Sequence, residues 1–144
     1  MKLTTRTRYG LRLLFQLALN YDKGTVQLNE IAKKENISEK YLEQIASFLK
    51  SAGFITAQRG AQGGYQLANN PSSISLADVV SRLEGSLSVI DCLNGGECDK
   101  TGNCPAQNVW RKLDDAIKSS LMKVNLSEMV DDYRKICSEP SFEI

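Results

Sequence analysis

Four cysteines and no histidine limit the metal chemistry open to this chain of 144 residues. Cys92, Cys98 and Cys104 follow one another with five residues between each successive pair, and Cys137 stands apart near the C-terminus. Three thiols cannot all pair as disulfides without Cys137, and stable disulfides are rare inside cells. Structural zinc typically uses cysteine pairs about two to four residues apart and four protein ligands. An even, wide spacing without imidazole fits that pattern poorly. Thiolates spread along a flexible loop suit an iron–sulfur cluster, whose ligands are mainly cysteine. Gly95-Gly96 and Gly102 lie between the cysteines and let the loop curl. Cys137 reads as a small, partly buried apolar residue rather than a ligand. Without histidine the Ser-His-Asp triad is excluded. A thiol oxidoreductase working through Cys92 or Cys98 would lack a Cys-x-x-Cys pair and any substrate-binding motif. The chain is therefore read as no enzyme.

The elements that must carry this loop follow from apolar spacing and capping residues. The length allows one ordinary domain with a small appendage. Hydrophobic residues at 42% and charged residues at 24% are the profile of a globular protein. Thr5 can cap a helix to about Tyr21, with Tyr9, Leu13, Leu14, Leu17, Ala18 and Tyr21 at helical spacing. Gly24-Thr25 breaks it. A short helix spans about Leu28 to Glu35, and Asn36-Ile37 connects it to another capped by Ser38. That helix carries Tyr41, Leu42, Ile45, Ala46 and Leu49 until Gly53 stops it. Two helices joined by so short a turn read as a helix-turn-helix. The strand candidates 54–57 and 65–68 flank a glycine-rich tip, and a hairpin in that place is the wing of a winged helix.

Ser75 and Asp78 form a capping box for a helix reaching Glu84 and closed by Gly85. After the cysteine loop, Pro105 suits the first turn of a long helix to about Lys123. Trp110, Leu113, Ile117, Leu121 and Val124 form one stripe along that helix. Asn125 and Glu128 cap a last short helix. The fold class is mainly α with a small β wing: a winged helix-turn-helix domain over 1–85, then a cysteine-bearing loop and long dimerisation helix over 86–144. The stripe is expected to meet the same helix of a second subunit, because operator-binding proteins of this size usually need two-fold symmetry.

Charge separates along the same division. Residues 1–66 hold ten Lys/Arg against five Asp/Glu, and residues 67–144 hold eight against twelve, within a net charge of +1. A basic half that meets a polyanion explains this asymmetry. A recognition helix enters the major groove with its N-terminal residues toward the bases. Here those are Ser38, Lys40, Tyr41, Glu43 and Gln44. Gln44 can bond adenine through two hydrogen bonds, Ser38 or Tyr41 can contact phosphate or base edges, and Glu43 can accept from a cytosine amino group. Arg59 at the wing tip suits a narrow minor groove, and Gly60 lets backbone approach phosphate. No apolar run is long enough to cross a bilayer, and Arg6, Arg8 and Arg12 interrupt any signal peptide. A cytoplasmic location without membrane contact is expected.

The opening Met1-Lys2-Leu3-Thr4 with Arg8-Tyr9 and the run Ile37-Ser38 with Tyr41-Leu42-Glu43-Gln44-Ile45 carry a family resemblance. So do the wing, Arg59-Gly60-Ala61-Gln62-Gly63-Gly64-Tyr65, and the cysteine triplet followed by Trp110. Over nearly its whole length the chain resembles the IscR-type iron–sulfur cluster-sensing regulators. The resemblance implies a homodimeric winged-helix repressor of iron–sulfur cluster biogenesis genes, acting on double-stranded operator DNA with no small-molecule substrate. It implies a 2Fe–2S cluster held by Cys92, Cys98 and Cys104, whose loss relieves repression. One position departs. The family pattern places a histidine three residues after the third cysteine as fourth ligand, and here Gln107 stands there. Gln107, a carboxylate such as Asp91, Glu97 or Asp99, solvent, a thiol or a partner-subunit residue remain candidates. Relatives on the same scaffold that sense nitric oxide, or regulate cysteine metabolism without a cluster, are the alternatives.

Overall fold

The structure, a computed structural model, describes residues 2–138; Met1 and residues 139–144, which the division above includes, lie outside that range. The first helix, α1 (Thr5–Leu19), begins on the residue expected to cap it, and the cap is Thr4, one residue earlier, whose hydroxyl takes the Thr7 amide at 3.3 Å. It ends two residues before Tyr21: Asn20 Nδ2 donates back to the Gln16 carbonyl at 2.9 Å, and Asp22 adopts φ 65°. Helices α2 (Leu28–Glu35) and α3 (Glu39–Ser51) follow. Asn36 in the left-handed region, at φ 53°, makes the tight turn between them, and Ser38 caps α3 as expected.

The wing pairs β1 (Ile55–Gln58) with β2 (Gly64–Leu67) antiparallel, Ile55 opposite Leu67 and Gln58 opposite Gly64. Val26 joins from the other edge, exchanging two 2.8 Å backbone bonds with Tyr65. This approach requires glycine at position 64, where a Cβ would stand 2.6 Å from the Val26 carbonyl oxygen. A short 3₁₀ turn at Pro71–Ser73 leads to α4 (Leu76–Glu84). The Ser75 hydroxyl accepts from the Ala77 amide at 3.1 Å, and Gly85 closes the helix at φ 83°. The Asp78 half of the expected capping box is not formed among the described residues.

Beyond a 3₁₀ turn at Asp91–Asn94, the long helix α5 (Gln107–Met122) starts two residues after Pro105, which lies in the preceding turn. The last helix, α6 (Leu126–Ser138), opens on the expected pair: Asn125 Oδ1 accepts from the Glu128 amide at 3.0 Å and its Nδ2 donates to Glu128 Oε1 at 3.1 Å. Backbone bonds Leu76 N to Val124 O (2.9 Å) and Leu126 N to Ile74 O (3.1 Å) stitch the starts of α4 and α6 together.

Apolar residues recurring at helical spacing face one core. Leu13, Leu14 and Leu17 of α1 meet Ile31 of α2, Leu42, Ile45 and Leu49 of α3, and Val79 and Leu83 of α4. Leu126 and Val130 of α6 are equally buried in that core. A leucine so enclosed is worth about 2–5 kcal/mol against alanine, so α6 completes the winged helix rather than decorating it. Gly10 permits the close crossing of α1 and α4, since a Cβ there would stand 2.8 Å from Leu83 Cδ1. Helix α5 differs. Its only buried residue is Asp114, Leu113 is 42% exposed, and Trp110, Ile117, Leu121 and Val124 are half-buried. Ile117 and Leu121 border an apolar groove with Leu3 and Val80 that its own chain leaves open.

Candidate DNA interface and cysteine loop

The outer side of α3 divides into two stripes. Glu39 and Glu43 border a shallow groove toward the wing with Gln27, Asn29, Gly64 and Tyr65. Tyr41 and Gln44 border a second groove on the α1 side, with Ser47 and Ser51. Glu43 and Gln44, adjacent in sequence, therefore serve opposite edges of the helix. Lys40, Glu43 and Gln44 are exposed, and Ser38 is exposed with its hydroxyl engaged by the Tyr41 amide at 3.3 Å. Tyr41 is half-buried; its ring packs edge-on against Tyr9 with centroids 5.9 Å apart.

At the wing tip Arg59 and Gly60 are exposed. The tip is shaped by backbone: Gly63 N donates to the Gly60 carbonyl at 2.9 Å, and Thr25 Oγ1 donates to the Gln62 carbonyl at 2.8 Å. Ser38, Lys40, Glu43, Gln44, Arg59 and Gly60 thus share access to solvent, on two separate projections. One neighbour that the spacing of residues does not assign to this face is Arg6, whose Cζ lies 3.9 Å from the centroid of the Phe48 ring in α3. Periodicity marks Phe48 only as a flank of the core; the arginine one helix away is brought to it by the α1–α3 crossing.

All four cysteines are free: Cys92 and Cys104 are half-buried, and Cys98 and Cys137 are exposed. Among the described residues, no group of three or more Cys, Asp or Glu side chains is gathered closely enough to hold a metal ion. The structure therefore puts the triplet on one loop without assembling it. The donor set itself fits an iron–sulfur cluster: three thiols, none consumed by a disulfide, none enclosed in the core. Gly95 and Gly102 hold positive φ angles of 84° and 89°, with open space where a Cβ would be. Cys137 corrects the expectation of a partly buried residue. Helix α6 outruns the core after Val130, and residues 131–138 are all exposed. Its thiol sits against Tyr133, pushing the phenol above its usual range; Tyr133 in turn packs edge-on against Phe15 at 5.1 Å.

Two carboxylates tie distant segments together, Asp114 at the base of this loop and Glu84 at the start of α1. Asp114 is 4% exposed and takes Ser88 Oγ at 2.6 Å and Val89 N at 2.7 Å, tying the irregular segment before the cysteines to α5. The Ser88 hydrogen bond, then the Val89 amide, hold its carboxyl below the ordinary 3.8, against partial desolvation and with help from Lys118. Glu84, the last residue of α4, accepts from both the amide and the hydroxyl of Thr4 at 2.9 Å. Desolvation is the largest influence on it and raises it, but hydrogen bonds from Thr7 and Thr4 and the charge of Arg6 together leave it below the ordinary 4.5. A depressed folded-state pKa means the stability these groups supply is complete above their unfolded values and is lost as pH falls through the folded ones. Melting temperature is expected to drop as acid takes the protein below about pH 4.5. The variants Glu84→Gln and Asp114→Asn should show a shallower acid limb by thermal denaturation, and limbs as steep as the parent's would remove this role.

Residues 3–132 match the family model Rrf2, described as an iron-dependent transcriptional regulator. The HTH-type transcriptional regulator IscR of Escherichia coli O1:K1 / APEC is 34% identical over 132 residues, covering 92% of this chain and 82% of that protein. Among solved structures, T. potens IscR matches with a TM-score of 0.81 at 32% identity, over 99% of this chain and 95% of the other. CymR (YrzC), the global cysteine regulator of B. subtilis, matches with a TM-score of 0.80 at 34% identity, over 91% and 97%. No helix among the described residues is long and apolar enough to cross a membrane.

Proposed function

The chain belongs to the Rrf2 family of transcriptional regulators, and from that premise we propose an IscR-type homodimeric repressor whose operator affinity is set by a 2Fe–2S cluster on Cys92, Cys98 and Cys104. The observation that carries this reading is the set of three free thiols on one glycine-rich loop, anchored at its base to α5 by Asp114. When bound, the cluster supplies iron chemistry that responds to oxygen and to cluster supply. The rest is done by this chain. Residues 1–85 read DNA and residues 86–144 hold the sensor and the second subunit, a division of labour around one shared core.

In that division Gln44, Lys40, Tyr41, Ser38 and Glu43 face the major groove, and Arg59 with Gly60 faces the minor groove. The open groove of Leu3, Val80, Ile117 and Leu121 receives the α5 stripe of a second copy, burying what the monomer leaves half-exposed. Asp114 then joins the loop to the dimer helix, so a rearranged loop alters how the two winged helices are presented. The difference in operator affinity between forms is the coupling free energy between the sites. The fourth cluster ligand is drawn from Gln107, a neighbouring carboxylate, solvent, a thiol or the partner.

Absorption and electron paramagnetic resonance spectra of protein purified without oxygen test the reading. Visible bands of a 2Fe–2S centre, with a paramagnetic signal on reduction, are expected. A colourless protein carrying no iron that still binds DNA would instead support a second reading, a cluster-free regulator of cysteine metabolism. Two observations favour that second reading: the likeness to the global cysteine regulator CymR, and thiols that are not gathered among the described residues.

A further inference from the structure

We infer that Arg6, laid on the ring of Phe48, is a backbone-phosphate site for duplex DNA at the α1 edge of the recognition helix. The guanidinium carbon lies 3.9 Å from the ring centroid, within stacking distance. Stacking leaves the guanidinium's edge, where its N–H donors lie, directed away from the ring. The groove it borders is lined by Tyr41, Gln44, Ser47, Phe48 and Ser51, so Arg6 stands beside the side chains that face the bases. Among the described residues no carboxylate comes within ion-pair distance of Arg6. Glu84 feels the charge of Arg6 from beyond ion-pair distance, and its Oε1 is already shared by the amide and hydroxyl of Thr4.

A planar cation laid on a ring, with no carboxylate at ion-pair distance among the described residues, next to the residues proposed to face the bases has the chemistry of a phosphate clamp. Its geometry also gives it a task distinct from that of Arg59. Arg59 reaches DNA from the exposed wing tip, whereas Arg6 is half-buried and moves only with α1 and α3. It therefore sets the depth and tilt at which α3 enters the groove. The inference rests on the outer side of α3 facing DNA.

Binding to a mixed-sequence duplex of about 30 base pairs, long enough for two half-sites one helical turn apart, tests it without a known operator. Affinity is followed by fluorescence anisotropy across a salt series. Losing one phosphate contact per subunit lowers the slope of log K against log salt by about 0.9 for each subunit bound. Arg6→Gln is expected to show that drop and an affinity about tenfold weaker at about 0.1 M salt. Arg6→Lys should retain the slope. Phe48→Leu, which keeps the charge but removes its shelf, should weaken binding with the slope held. Lys135→Ala, on the far end of α6, should change neither. An Arg6→Gln protein that melts like the parent and keeps its slope overturns the site, as does weaker binding with an unchanged slope. Failure of the parent itself to bind the duplex would instead strike the placement of α3.

Discussion

Replacing Cys92 with alanine is expected to abolish the visible absorption of protein purified without oxygen and to change operator affinity by about thirtyfold, the middle of the usual range for coupled sites. The magnitude follows from what the protein can hold. With Cys92 gone, two thiols remain on the loop, and the third free thiol, Cys137, lies at the end of α6. Two thiols are too few for a cluster whose ligands are chiefly cysteine. The fold should be indifferent, because Cys92 lies in a short 3₁₀ turn outside the core and contributes no buried side chain. The melting temperature and the DNA affinity of the iron-free protein should therefore match the parent's. An operator selected from a random-sequence pool supplies the binding probe. Absorption that survives in Cys92→Ala, or a parent and variant that bind DNA identically in the presence of iron and sulfide, would falsify the cluster assignment.

Gly63→Ala should nearly abolish the contribution of the wing while leaving the body of the protein intact. A Cβ at position 63 would stand 2.5 Å from the Gln58 carbonyl oxygen and 2.9 Å from that of Gly60. Both are backbone atoms, so no side chain can swing aside to relieve the contact. The tip must open, which breaks the bond from Gly63 N to the Gly60 carbonyl and re-aims Arg59. Losing one charge-assisted contact to DNA costs about 1.5–3 kcal/mol, or roughly tenfold to a hundredfold in affinity. The core end of the hairpin, where Ile55 and Leu67 are buried, lies three register pairs from the tip and should hold. Anisotropy against the selected operator should show the loss, with a melting temperature only a few degrees lower. Parent-like affinity would mean that the wing tip does not touch DNA.

How much of this was legible beforehand differs by element, for physical reasons. The bounds of α2 and the Ser38 cap were readable because each rests on a local rule: an apolar stripe, a left-handed asparagine, a capping hydroxyl. The start of α5 was misplaced at Pro105. Proline at a first turn is a preference, and here the chain uses it in the turn before the helix. Val26 as a third wing strand could not be read, because a single bridged residue leaves no alternation to detect. Leu126 and Val130 fall in a short helix for which the sequence names only its cap, Asn125 with Glu128; the pairing of Ser75 with Asn125 turns them inward. In the candidate site, spacing alone singled out the cysteines and the exposed face of α3. The contacts of Arg6, Glu84 and Asp114 were invisible for a common reason. Each acts on a residue far away in sequence, and a single chain read linearly offers no trace of such pairings.

The placement of α6 on α1 has a consequence for the order in which the molecule is made. The first helix leaves the ribosome early, but the layer that covers it contains Leu126 and Val130, among the last described residues to emerge. A nascent chain carrying only the helix-turn-helix and wing still has an open core. By the time α6 can close it, the cysteine loop and α5 have already been synthesised. Vectorial synthesis therefore ensures that no fully folded helix-turn-helix and wing exist before the cysteine loop has been made, and a prematurely terminated chain is left with an open core as a substrate for proteolysis.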